Sequence, residues 1–184
     1  MVGDQKLTME LWRGNVFEPS YAKSLPNDIK TAPDVNVKPE FVFGYKSRET
    51  RNNLKYIDNN TIAYHAGSIV IVHDISNNTQ QNFVKHKEEI QGFSVSNNKK
   101  YIASHDVVKS KSTNTPQLVI WDNEKKEDIL TIENITTKGV TSLAFDSEGE
   151  LLISLGADDD HTVSIVSLSD KKIIFSDIFG KVKI

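Results

Sequence analysis

The chain contains no cysteine. Disulfides, zinc–thiolate centres and a cysteine nucleophile are therefore excluded. Proline is scarce and badly distributed: Pro19, Pro26, Pro33 and Pro39 fall within residues 1–40, and Pro116 is the fifth. Long apolar runs are also missing. Nothing approaches the roughly 18 residues that span a bilayer, and MVGDQKLTMELW has no apolar core of a secretory leader. A cytosolic protein with no membrane partner is the expectation. An excess of positive charge is missing too. The net charge is -3 and the pI about 6.0, which argues against a generic nucleic-acid binder.

What is present is an ordinary globular composition, 38% hydrophobic and 26% charged over 184 residues, enough for one domain with a core. Residues 1–40 show no sustained period. They read either as an extended arm with small anchors at Leu11, Trp12, Phe17 and Tyr21, or as a disordered leader. From residue 41 onward, short runs rich in Ile, Val, Tyr and Phe alternate with polar clusters. The clusters 58–60, 76–78, 96–98, 123–125, 147–149 and 169–171 combine Asn, Asp, Ser, Gly, Glu and Lys, the composition of hairpin turns. The best helical candidate, 80–92, fails because Phe83, Val84 and Ile90 do not share one face.

Three segments then share one layout, and placing His73, Trp121 and Val166 as equivalents gives intervals of 48 and 45 residues. Units of about 40–45 residues with four short strands are propeller blades. The runs 69–72, 118–120 and 163–165 before those positions are almost wholly apolar, as strands covered on both faces must be. The fold expected is all-β: a partial propeller of about three four-stranded blades. The expected divisions are an arm over 1–40, a motif with the first blade over 41–76, a second blade over 77–133 with an insert at 106–116, and a third over 134–184.

The second unit, HKEEIQGFSVSNNKKYIAS…LVIWD, resembles a WD repeat. The resemblance implies a buried hydrogen-bond network of His86, Ser104 and Trp121, with the position of its turn Asp obscured by the insert. The first and third units lack the Trp-Asp pair. The stretch PEFVFGYKSRETRNNLKYIDNNTIAYHAGSIVIVHDI resembles the hydrophobic motif of the echinoderm microtubule-associated protein-like family. Phe41, Phe43, Gly44, Tyr45, Arg48, Arg51, Asn52, Asn53 and Leu54 carry that likeness. It implies a non-enzymatic structural protein of the cytoplasmic cytoskeleton, cilium or flagellar axoneme. Its partners would be tubulin and other microtubule-associated proteins.

The basic residues of the motif have two readings. They belong to the propeller wall, with the Arg stems buried and the guanidinium groups paired, or Lys46, Arg48 and Lys55 face an acidic microtubule surface. A generic WD-repeat scaffold in a signalling or ubiquitin-ligase complex is the alternative function. Catalysis is not expected: there is no phosphate-binding glycine loop, no His-Glu-x-x-His, and Asp158-Asp159-Asp160 lacks the ligand spacing of a calcium loop. No metal or cofactor is expected. Three blades do not close a ring of about four to eight, so the chain reads as a piece of a longer polypeptide, or as one completed by another chain or held against a large assembly.

Overall fold

Most strands fall on the runs rich in Ile, Val, Tyr and Phe. A computed structural model describes Tyr21, Ser24 and residues 38–47, 50–108 and 114–180. The chain divides into two compact units, Met1–Lys38 and Pro39–Ile184. The anchors Leu11, Trp12 and Phe17 of the arm lie outside the described residues, while Tyr21 is exposed and its carbonyl accepts from the Ser24 hydroxyl at 2.7 Å.

The second unit holds twelve strands: β1 (Leu54–Tyr56), β2 (Thr61–Ala66), β3 (Ile69–Asp74), β4 (Thr79–Val84), β5 (Ile90–Val95), β6 (Tyr101–Asp106), β7 (Gln117–Asp122), β8 (Glu127–Glu133), β9 (Val140–Phe145), β10 (Leu151–Gly156), β11 (Thr162–Ser167) and β12 (Lys172–Ile178). They form three four-stranded antiparallel sheets in simple up-and-down order. These are three blades of a partial propeller. No α-helix occurs among the described residues.

Each turn cluster closes a hairpin within a sheet, and short polar side chains do the closing. Asp58 Oδ1 accepts the N–H groups of Asn60 and Thr61 at 2.8 and 2.9 Å. Asp122 Oδ1 accepts those of Glu124 and Lys125, both at 2.9 Å, and Asp146 Oδ1 those of Glu150 and Leu151. Such local bonds are why Asp and Asn mark turns.

His73, Trp121 and Val166 occupy the same place in the three sheets, each opposite the second residue of the preceding strand: Ile62, Ile102 and Leu152. A ladder bulge follows Ile120 in β7 and Ile165 in β11. The first sheet runs through Val84, because Thr79–Val84 pairs with β3 along its whole length. The boundary between the first two blades therefore falls after β4, and not at the expected residue 76. Hydrogen-bond pairing defines a blade, whereas the turn at 76–78 only joins two of its strands.

Two cores lie between the sheets. Ala63, Val70, Val72 and Phe83 of the first meet Phe93, Ile102, Val119 and Trp121 of the second. Ala103, Leu118 and Ile120 on the opposite face of the second meet Val140, Leu152 and Val166 of the third. β7 is buried at every position, as a central strand covered on both faces should be. β10 alternates instead: Leu152 and Ser154 are buried, while Ile153 and Leu155 stand open with Phe175 of β12. The far face of the third sheet is thus an uncovered apolar surface.

Candidate binding surface and the network behind it

Trp121 enters the junction between the first two sheets at 3% exposure, with its ring 5.2 Å from that of Phe83. Its Nε1–H donates to Ser104 Oγ at 2.8 Å, and Ser104 Oγ lies 2.8 Å from His86 Nε2. His86 Nδ1 lies 2.9 Å from Asp106 Oδ2. A carboxylate accepts and an indole only donates, so the chain of bonds has one consistent direction. Trp121 donates to Ser104, Ser104 to His86, and His86 through Nδ1–H to Asp106. Asp106 Oδ1 also accepts the Gln117 backbone N–H at 2.6 Å, which ties the ends of β6 and β7 across the insert. Asp106 is the carboxylate whose place the insert obscured. Its signal was the i, i+2 spacing from Ser104, which puts both on one face of β6.

The motif residues build a cover for the first sheet. Gln80 on β4 clamps both backbone groups of Val42: the Val42 N–H donates to Oε1 at 2.7 Å, and Nε2 donates to the Val42 carbonyl at 3.0 Å. Asn82 Nδ2 donates to the Pro39 carbonyl at 3.1 Å. The Phe41 ring meets His73 edge-on at 5.7 Å and Phe43 at 4.8 Å. Lys46 N–H then donates to the His65 carbonyl, extending the ladder past the end of β1. Trp121 faces the sheet before it, and so does Val166. His73, at the equivalent place, faces Phe41. Segment 39–46 therefore stands where a preceding blade would stand.

The rest of the motif is a tight turn. Asn53 Nδ2 donates to the Lys46 carbonyl and, at 3.3 Å, to Thr50 Oγ1. Asn52 adopts φ 55°, a left-handed conformation that Asn tolerates better than most residues. Gly44, at φ 84°, makes the other bend. Phe43, Tyr45 and Leu54 are exposed.

The basic residues divide. Lys46 is 10% exposed in its side chain, with Nζ 3.0 Å from Glu89 Oε1, an ion pair by distance rather than an aligned hydrogen bond. That position makes Lys46 part of the wall. Arg48 lies outside the described residues. Arg51 is exposed on the turn and Lys55 half-buried on β1, and neither has an ion-pair partner among the described residues.

Both line a pocket of about 550 Å³ where the first strands of the three sheets converge. Gln91 and Ser94 enter from β5, and Thr141 and Ser142 from β9. Among the described residues, no Asp or Glu lines it. His105 also lines it at 2% exposure, and its Nδ1 has no hydrogen-bond partner. The glycine at 92 leaves His105 its space, since a β-carbon there would lie 2.7 Å from Nε2.

A second buried histidine, His65 of β2, meets Phe93 edge-on at 5.8 Å, and both its ring nitrogens lack partners. Burial pushes His65 down to about 4, and the Lys46 charge adds to the shift. Burial likewise lowers His105 to about 4, with the neighbouring His86 acting in the same direction. The sequence signal for these two was weak: each is the fifth residue of an apolar second strand, the position that holds Leu155 in the third sheet. Asp158-Asp159-Asp160 forms a turn, with Asp158 Oδ1 accepting from the Thr162 N–H and Asp159 paired to Lys138 at 2.6 Å.

The HELP motif family matches residues 32–71. The 77 kDa echinoderm microtubule-associated protein of Lytechinus variegatus is 26% identical over 162 residues, 80% of this chain and 24% of that protein. Echinoderm microtubule-associated protein-like 1 of Rattus norvegicus is 25% identical over 139 residues, 72% of this chain and 17% of that protein.

The chain carries a HELP motif and is similar, over 72–80% of its length, to echinoderm microtubule-associated proteins.

The human echinoderm microtubule-associated protein-like 2 is a further relative, 22% identical over 153 residues, covering 80% of this chain and 23% of its own length. The chain spans less than a quarter of the length of these relatives. The motif match ends inside β3, so in this chain the motif takes in the covering segment, the Arg51–Asn53 turn and the first hairpin.

Proposed function

We propose that this chain is part of a non-enzymatic structural microtubule-associated protein. It binds tubulin or neighbouring microtubule and axonemal proteins through its propeller surface and N-terminal arm, in the cytoplasmic cytoskeleton, cilium or flagellum. The observation that carries this reading is the relationship to proteins named as microtubule-associated across 80% of the chain. Arg51 and Lys55, which have no ion-pair partner among the described residues, supply a surface that suits an acidic lattice. Lys46 contributes to that surface only by holding the turn against Glu89.

The uncovered face of the third sheet, with Ile153, Leu155 and Phe175, supports a second element of the reading: a further blade, from the same polypeptide or a second chain, packs there. Co-sedimentation with microtubules tests the proposal. The chain pellets with them at low salt, and apparent affinity falls about tenfold or more as added salt shortens the screening length below about 8 Å. Failure to pellet at low salt, with the protein folded, sinks the microtubule reading and leaves the generic propeller scaffold.

A further inference from the structure

We infer that the pocket at the convergence of β1, β5 and β9 binds a short carboxylate-rich peptide segment. The inference deepens the reading above by naming the site and the chemistry of its partner. It rests on that reading only for which protein supplies the segment.

The pocket is a local inversion of charge. The whole chain carries net charge -3, yet among the described residues the pocket wall holds Arg51 and Lys55 and no carboxylate. Most cations of a folded surface sit near acidic side chains, as Lys85 does with Asp128 and Lys138 with Asp159. Arg51 and Lys55 have no acidic partner among the described residues, so their field is directed at whatever enters.

The turn that carries Arg51 is fixed from both sides. Asn53 bonds the Lys46 carbonyl and Thr50, and the Thr50 hydroxyl donates to the same carbonyl at 3.3 Å. A guanidinium held on a braced turn loses less freedom when it pairs with a carboxylate, and its planar fork suits that partner.

Uncharged donors from the other two sheets complete the wall. The Ser94 and Ser142 hydroxyls and the Gln91 amide can each bond a carboxylate or a peptide group, while the Thr141 hydroxyl donates to the Gly156 carbonyl at 3.3 Å. The buried His105, with its Nδ1 unpaired, adds a polar group left without a protein partner. Buried polar atoms without partners are uncommon in folded proteins, and a bound ligand is one way to satisfy them. Phe93, Val140 and Leu143 give the pocket an apolar floor for the methylene stems of acidic side chains. A small free anion would use the cations but not this floor, which favours a peptide.

The test is fluorescence anisotropy of a labelled oligoglutamate of about eight residues beside an oligoglutamine of equal length, at constant ionic strength. The chain is expected to bind the glutamate peptide about tenfold more tightly than the glutamine peptide, as charge complementarity at a braced site requires. Arg51→Gln with Lys55→Gln is expected to remove that difference. Arg51→Gln alone, on an exposed turn that does not endanger folding, is expected to remove about half of it on a logarithmic scale if the two cations share the work. Lys125→Gln, in the β7–β8 turn, leaves it unchanged.

Equal binding of the two peptides overturns the inference. So does a double variant indistinguishable from Lys125→Gln, or displacement of the peptide by inorganic phosphate at matched ionic strength. Microtubule pelleting of the same proteins separates the two claims. Loss of peptide selectivity with pelleting intact rejects this site and leaves the proposed function standing. Selective peptide binding without pelleting supports the site and rejects the microtubule role.

Discussion

Replacing Trp121 with alanine lowers the unfolding free energy by about 3–5 kcal/mol, the range for deleting a large buried aromatic side chain. The indole is 3% exposed at the junction of the first two sheets and packs on Phe83 at 5.2 Å. It also supplies the first donor of the Trp121–Ser104–His86–Asp106 chain. Trp121→Phe keeps most of the packing and removes only the donor. Its cost is smaller, about 1–2 kcal/mol for a broken buried hydrogen bond. Urea denaturation followed by circular dichroism measures both, and the difference between the two variants isolates the packing contribution. A Trp121→Ala loss below about 1 kcal/mol contradicts the account, because surface substitutions already produce effects of about half that size.

Acid weakens the fold through two buried histidines. His65 and His105 are held near 4 in the folded chain against a usual 6.5. The folded form therefore binds their protons less readily than the unfolded form. Above pH 6.5 both rings are neutral in both states, and the stabilisation is complete. Between about 6.5 and 4 the unfolded chain takes up protons that the folded chain refuses, and stability falls as pH falls. The slope approaches about 1.4 kcal/mol per pH unit for each histidine.

The surroundings act in both directions. Lys46 and His86 reinforce the shift of His65 while Glu89 opposes it, and Asp106 opposes that of His105. Urea midpoints measured from pH 7.5 to 4.5 should be flat above 6.5 and decline below it, with His65→Gln reducing the decline. A flat profile down to pH 5 contradicts the burial of the two rings.

Much of this architecture is legible in the chain. The apolar runs before His73, Trp121 and Val166 fix the third strand of each sheet, because a strand buried on both faces loses its polar alternation. The Asn- and Asp-rich clusters fix the hairpins, because their side chains bond the turn backbone directly. The stretch 39–75 carries its likeness to the echinoderm microtubule-associated proteins in side chains that the turn and the cover both need.

What escapes the sequence depends on residues far apart. Gln80 reads as one polar residue on an edge strand, yet it pairs with Val42 as a strand would. Lys46 reads as surface charge until Glu89 is placed 3.0 Å away. His65 and His105 read as strand residues, and only the stacking of sheets buries them. Asp106 reads as the start of an insert until Gln117 and His86 converge on it.

Crosslinking mass spectrometry on the native assembly tests the central claim most directly, since it reads partner and surface together. The account predicts crosslinks from residues 46–55 or from the N-terminal arm to tubulin. Crosslinks confined to other propeller proteins, with tubulin absent from the assembly, would contradict it.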